Sequence, residues 1–348
     1  MVLGRAAWIG VLGVLAWMVA GSAATASASE PAIAASPMAE ALTPRTILPQ
    51  EAIARIESLE RNYRTLRWKA HSVEVELRSA ADTKSVASQR KDFQDSQVLF
   101  DPMGRRYCMA IQAVNSIDGR PPFLASVAGY SFDGEVYRGW QRSKLGDQLP
   151  AAEDDLPARG GIAKDRKNIS QQEDPVTLAC VATGLGHMPP YFWDGESPCQ
   201  PLSALMRKWL EAKRDFSIVE DYRGVWTIRT TVTIAGNEGC RLQIRFDPER
   251  GGVVTGARWS FAAAGNCEIE HARLEVELQQ VGDDVWMPKI VRRVLSFEMP
   301  PTMTLTTFED VEVNPTAAAD AFRVTFPKGV RVADHIRGTT FVAGESGE

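Results

Sequence analysis

The chain has 348 residues, of which 44% are hydrophobic and 24% charged, ordinary proportions for a folded globular protein. Its formal net charge of −5 argues against a nucleic-acid partner, because a surface that tracks phosphates needs a basic excess. The four histidines are scattered, and no G-x-S-x-G, H-E-x-x-H, P-loop or dinucleotide-binding glycine pattern occurs, so the expectation is no metal, no cofactor and no enzymatic activity.

In chain order, Arg5 precedes an apolar run from Ala6 to Ala20, and small residues follow from Gly21 to Ser29. These are the three regions of a secretory signal peptide, with Ala24, Ala26 and Ala28 as cleavage options and residues 1–28 as the expected leader. The run is shorter than the ~20 apolar residues of a membrane span, and no later stretch is long and apolar enough for one. The expected location is therefore periplasmic or extracellular, with no integral membrane segment after cleavage.

Residues 29–48, rich in Ala, Pro, Ser and Thr, read as a flexible linker. Pro49 then opens a helix whose apolar face is Ile53, Ile56, Leu59, Tyr63 and Leu66. After it the period changes to two: Val73, Val75 and Leu77 alternate with Glu74, Glu76 and Arg78, the mark of a half-buried strand. Strands are expected at Gln97–Phe100 and Arg106–Val114, and a hairpin turning at Asp133-Gly134 joins Tyr130–Phe132 to Val136–Trp140. Residues 145–177 are polar and aperiodic and read as an exposed loop insertion. Leu178 to Trp193 is apolar but broken by Gly184, Gly186, Pro189 and Pro190.

A second helix follows Pro201, with Leu202, Leu205, Met206, Trp209 and Leu210 on one face. From Trp226 to Val313 the chain reads as consecutive alternating strands joined by short turns, including Asp247–Gly252 and Asp283-Asp284, which means an antiparallel meander. About nine or ten strands with one apolar face must curl, close or be covered. The expected fold is mostly β (α+β): a strongly curved antiparallel sheet or incomplete β-barrel wrapped around two or so helices. It occupies residues 49–343, with a short tail at 344–348.

The aromatic side chains suggest where a ligand would bind. Tyr191, Phe192 and Trp193 lie in the irregular segment, as lid, rim or packing; Met206 and Trp209 lie on the second helix; Trp226, Trp259 and Phe261 lie on apolar strand faces. A hydrophobic cavity needs such a lining, and so does an ordinary core. Five cysteines enter an oxidising compartment, where Cys180 with Cys199 and Cys240 with Cys267 are the favoured disulfides and buried thiols are the alternative.

Several pieces together resemble the outer-membrane lipoprotein-carrier superfamily, the LolA/LolB-like proteins. They are the leader, the helix Ile53 to Leu66 running into strand Val73 to Leu77, Val98-Leu99-Phe100-Asp101-Pro102, and Tyr130-Ser131-Phe132-Asp133-Gly134-Glu135-Val136-Tyr137. The resemblance continues through the helix near Leu202 to Leu210, the turn Phe246-Asp247-Pro248 and the end Phe326-Pro327-Lys328-Gly329-Val330-Arg331-Val332. It implies an incomplete barrel plugged by helices, with a cavity that accepts acyl chains. The implied function is an exported carrier of lipid or lipoprotein. The alternatives are an envelope sensor or protein-interaction module of the same fold and, third, a secreted hydrolase.

Overall fold

The computed structural model describes residues 44–79, 92–101, 106–115, 123–143, 158–164, 191–192, 200–234, 237–262, 268–296 and 300–344. The expected leader, nearly all of the expected linker and residues 345–348 of the expected tail lie outside them.

The described chain enters through a two-residue strand, β1 (Arg45–Thr46), and helix α1 (Pro49–Glu60). A first meander follows: β2 (Leu66–Glu76), β3 (Asp92–Asp101), β4 (Arg106–Asn115), β5 (Phe123–Phe132), β6 (Tyr137–Ser143) and β7 (Ala158–Ala163). The short strands β8 (Tyr191–Phe192) and β9 (Gln200–Pro201) pair with each other and lead into helix α2 (Leu202–Glu211). A second meander comprises β10 (Phe216–Glu220), β11 (Trp226–Ile234), β12 (Asn237–Asp247), β13 (Val253–Ala262), β14 (Glu268–Gly282), β15 (Val285–Leu295) and β16 (Thr302–Val313). A 3-10 turn at Ala319–Phe322 precedes the last hairpin, β17 (Arg331–Asp334) and β18 (Thr339–Val342).

All but β8 and β9 belong to one 16-stranded sheet that does not close, ending at β1 on one side and β18 on the other. β16 pairs antiparallel with β2 and so joins the two meanders. The chain ends exchange partners: β1 caps the second meander on β10, while β17 adds in parallel to β7 of the first. Register shifts interrupt the pairs β4–β5, β11–β12, β12–β13, β13–β14, β14–β15 and β16–β2, and such bulges bend strands and increase their twist.

The period-two pattern decides which face is inside. On β2, Leu66, Trp68 and Ala70 are buried between exposed Arg67 and Lys69; on β12, Leu242, Ile244 and Phe246 are buried between exposed Arg241 and Arg245. One lateral row of paired residues, Ile218, Ile228, Ile244, Ala257 and Leu274, is buried across five neighbouring strands. The main core lies on this face. Ala52, Ile53 and Ile56 of α1 and Leu202, Leu205, Met206 and Trp209 of α2 belong to the same cluster, so both helices fill the sheet on its concave side.

A second, smaller core lies on the outer face of the first meander. Segment 319–330 crosses there, burying Phe322 and packing Val324 and Phe326 beside Trp140. Gly129 permits the crossing: a Cβ built on it would lie 2.6 Å from Val324 Cγ2 and 2.5 Å from Trp140 Nε1. The Val324 N–H donates to Ser131 Oγ at 3.0 Å, which fixes the height of the strap above the sheet.

The structure corrects three expectations. Helix α1 ends at Glu60, and Tyr63 and Leu66 belong to the turn and strand that follow, because alternating Leu66, Trp68 and Ala70 extend β2 back to Leu66. The turn is held by Asn314, whose Oδ1 accepts from the N–H groups of Arg64 and Thr65 and whose Nδ2 donates to Asn62 O. The expected loop at 145–177 contains β7, whose Ala-Arg-Gly-Gly-Ile-Ala sequence has no clean alternation. The sheet is also wider than nine or ten strands, because short pieces such as β1, β10, β17 and β18 extend it at both ends.

Candidate functional site

The concave face and its two helices form the candidate site, a packed apolar core. The sequence offers Met206 and Trp209 on the second helix and Trp226 and Trp259 on apolar strand faces as cavity or core residues, and the structure brings all four into the main core, each buried. Trp209 meets Phe216 edge-on at 5.8 Å, and Trp226 lies 6.0 Å from Phe246. Phe261 is only partly buried, edge-on to His271 at 5.3 Å, and its cross-strand partner Ile269 is 60% exposed. Tyr191 and Phe192 form β8, which packs beside α2; the Trp193 expectation lies outside the described residues.

Sequence reading missed the contribution of the first meander. Tyr63, Trp68, Phe100, Tyr107 and Met109 line the same core. The signal was present in the alternation from Leu66 onward but was absorbed into the helical stripe. Two indole N–H groups of this core, Trp68 Nε1 and Trp209 Nε1, are buried without an acceptor. An unpaired buried donor costs ~1–3 kcal/mol, so each is a polar contact that the chain itself leaves unmade.

The two helices hold each other through polar groups. Helix α2 begins after Pro201 with no side-chain cap of its own, which leaves its first N–H groups in need of an acceptor. Glu60, the last residue of α1, supplies it: the carboxylate accepts from Ser203 N at 3.0 Å and from Ser203 Oγ. Burial outweighs those hydrogen bonds, with a smaller contribution from neighbouring Glu57, and pushes the Glu60 carboxyl up to about 7. Glu57 pairs with Arg207 of α2 and, at 3.5 Å, with Arg61.

Tyr63, just beyond α1, anchors the same end of the barrel. Its hydroxyl donates toward the carbonyls of Gly251 and Trp286, each at 3.1 Å, tying the α1 end to the turns β12–β13 and β14–β15. Burial pushes its phenol up to about 12.

Cys240 is a free, buried thiol on the core face of β12, pushed up to about 11 by burial, rather than half of a disulfide. Its side chain packs among Val232, Leu242 and the rest of the concave core, away from solvent. Cys180, Cys199 and Cys267 lie outside the described residues. Among the described residues, no group of three or more His, Cys, Asp or Glu side chains is arranged to hold a metal ion, and no helix is long and apolar enough to cross a membrane.

A groove of about 600 Å3 opens on the outer face, between β16 and the 319–330 strap. Leu99 and the half-buried Cys108 lie on its floor. One wall carries the ion pairs Lys69–Asp310 at 2.6 Å and Arg67–Glu312 at 3.1 Å. Asp310 adopts a positive φ of 49° at the bulge in β16, which turns its carboxylate toward Lys69.

Known structures with related strand arrangements are loosely similar. A DUF1329 family protein from Desulfovibrio piger aligns with 79% of this chain and 95% of its own, at 10% identity and a TM-score of 0.40. A LolA superfamily protein from Nitrosomonas europaea aligns with 80% of this chain and 98% of its own, at 8% identity and a TM-score of 0.31. A β-barrel-like DUF1849 protein from Brucella abortus covers 73% of this chain and all of its own, at 12% identity and a TM-score of 0.29. No family profile and no curated protein matches the sequence. The incomplete barrel is established by its own strand order.

Proposed function

We propose that the protein is an exported, non-enzymatic binder or carrier of lipid or lipid-modified protein in the cell envelope. The observation that carries this reading is the cover of the concave face: two short helices, apolar toward the sheet and joined to each other through the Glu60–Ser203 and Glu57–Arg207 contacts. Helices of 12 and 10 residues are too short to be stable on their own and depend on that packing. An acyl chain entering beneath them exchanges helix packing for ligand packing at ~25 cal/mol per Å2 of apolar surface, so their displacement is largely offset. The unpaired indole N–H groups of Trp68 and Trp209 would donate to an ester or carboxylate oxygen.

Native mass spectrometry of the protein purified from its own envelope without detergent tests the reading. A stoichiometric acyl-chain adduct and uptake of added fluorescent fatty acid are expected. A protein that is always empty and takes up no probe contradicts it. That result would favour a second reading, an interaction module that binds a protein partner in the outer groove beside Lys69–Asp310.

A further inference from the structure

The lateral row that is apolar from β10 to β14 changes character at β15. Leu274 of β14 pairs with Arg293, Arg293 with Thr304 of β16, and Thr304 with Glu74 of β2. Directly paired residues share a face, so these three side chains continue the concave surface. Arg293 lies between Val291 and Leu295, both of which pack in the main core, and Glu74 is two residues from Ser72. Ser72 is buried and hydrogen-bonds to Thr306 at 2.9 Å, which adds a second polar pair beside the first. All three residues of the row are half-buried, and both charged side chains engage further groups of the chain.

We infer that Arg293, Thr304 and Glu74 form a headgroup site at the boundary of the apolar interior, selecting an amphiphile whose headgroup carries both a phosphate and an ammonium group. The inference rests on the lipid-binding reading and specifies its ligand class. Neighbouring strands are ~4.8 Å apart, so a guanidinium and a carboxylate two strands apart span a zwitterion with the Thr304 hydroxyl between them. The guanidinium matches the fork of phosphate oxygens, and the carboxylate accepts from the ammonium. A ligand whose tails lie against Leu274 and the buried row beyond it would bring its headgroup to this position.

The test is competition for a bound fluorescent fatty acid by three lipids with identical tails: phosphatidylethanolamine, phosphatidylglycerol and diacylglycerol. The native protein is expected to prefer phosphatidylethanolamine over diacylglycerol by about ten-fold, the scale of one charge-assisted contact. R293Q and E74Q, each checked for native circular dichroism, are expected to lose that preference while binding diacylglycerol as before; T304V provides a milder, uncharged comparison. Equal competition by phosphatidylethanolamine and diacylglycerol overturns the headgroup site but leaves the carrier reading intact. Phosphatidylglycerol competing as well as phosphatidylethanolamine removes the ammonium contact and overturns the zwitterion assignment. If none of the three competes and the fatty acid itself does not bind, the carrier reading fails and this inference with it.

Discussion

Replacing Gly252 with alanine is expected to lower stability by about 3 kcal/mol, whereas the same change at Gly224 costs about 1 kcal/mol. Both glycines have a φ of +76°, so both substitutions carry the left-handed penalty of an L-residue. They differ in what a methyl group meets. At Gly224 nothing lies within 4 Å, but at Gly252 the new Cβ would sit 2.9 Å from Leu59 Cβ and 3.0 Å from Phe246 Cζ. Leu59 belongs to α1 and Phe246 to the core face of β12, so this is where the sheet end seals against the first helix. Equilibrium urea unfolding of the two variants separates backbone strain from packing. Equal losses would mean that α1 yields at this contact and is held more loosely than the structure shows.

Between about pH 4 and pH 8 the native protein is expected to lose about 3 kcal/mol more stability than E60Q does. Glu60 has a folded-state value of about 7 against an ordinary 4.5. A group raised in the folded state contributes its stability in full below the unfolded value, and that contribution is lost as pH rises through the folded value. The loss therefore falls between about pH 4.5 and pH 7, and glutamine, which keeps an oxygen acceptor for Ser203 N, should remove it. Carboxylates such as Asp133, held below the usual range by hydrogen bonds from Val136 and Arg138 that overcome its burial, push the opposite way in both proteins and cancel in the comparison. Parallel pH profiles for the two proteins would show that the α1–α2 junction is wetter than the structure indicates. If the difference appears, ionisation of Glu60 near neutral pH loosens the contact between the helices that cover the concave face.

The β architecture was legible along strands with one dry face and one wet face. Leu242, Ile244 and Phe246 alternate with Arg241, Gln243 and Arg245, so the pattern alone sets both strand and face. The second helix was equally clear, since Leu202, Leu205, Met206 and Trp209 fall on one stripe and are buried as a set. Local pattern could not reveal β7, whose glycines are needed under the strap: a Cβ on Gly160 would lie 2.9 Å from Phe326. Nor could it reveal the exchange of end strands, or the Glu60–Ser203 contact between residues 143 positions apart. The burial of the aromatic side chains on the concave face was legible on the second meander and missed on the first. There Tyr63 and Leu66 fit a helical period by coincidence, and the asparagine that ends the turn, Asn314, lies some 250 residues away.

Cross-linking the helices tests the carrier account most directly. The side chains of Glu60 and Ser203 are in hydrogen-bond contact, so an E60C/S203C variant places two thiols across the α1–α2 junction that can be oxidised into one link through a short disulfide-containing spacer, which a reductant opens. If the helices must part for an acyl chain to reach the concave face, the oxidised protein takes up no fluorescent fatty acid and reduction restores uptake. Equal uptake by the oxidised and reduced protein would contradict the account, because the ligand would then be reaching a site that the two helices do not cover.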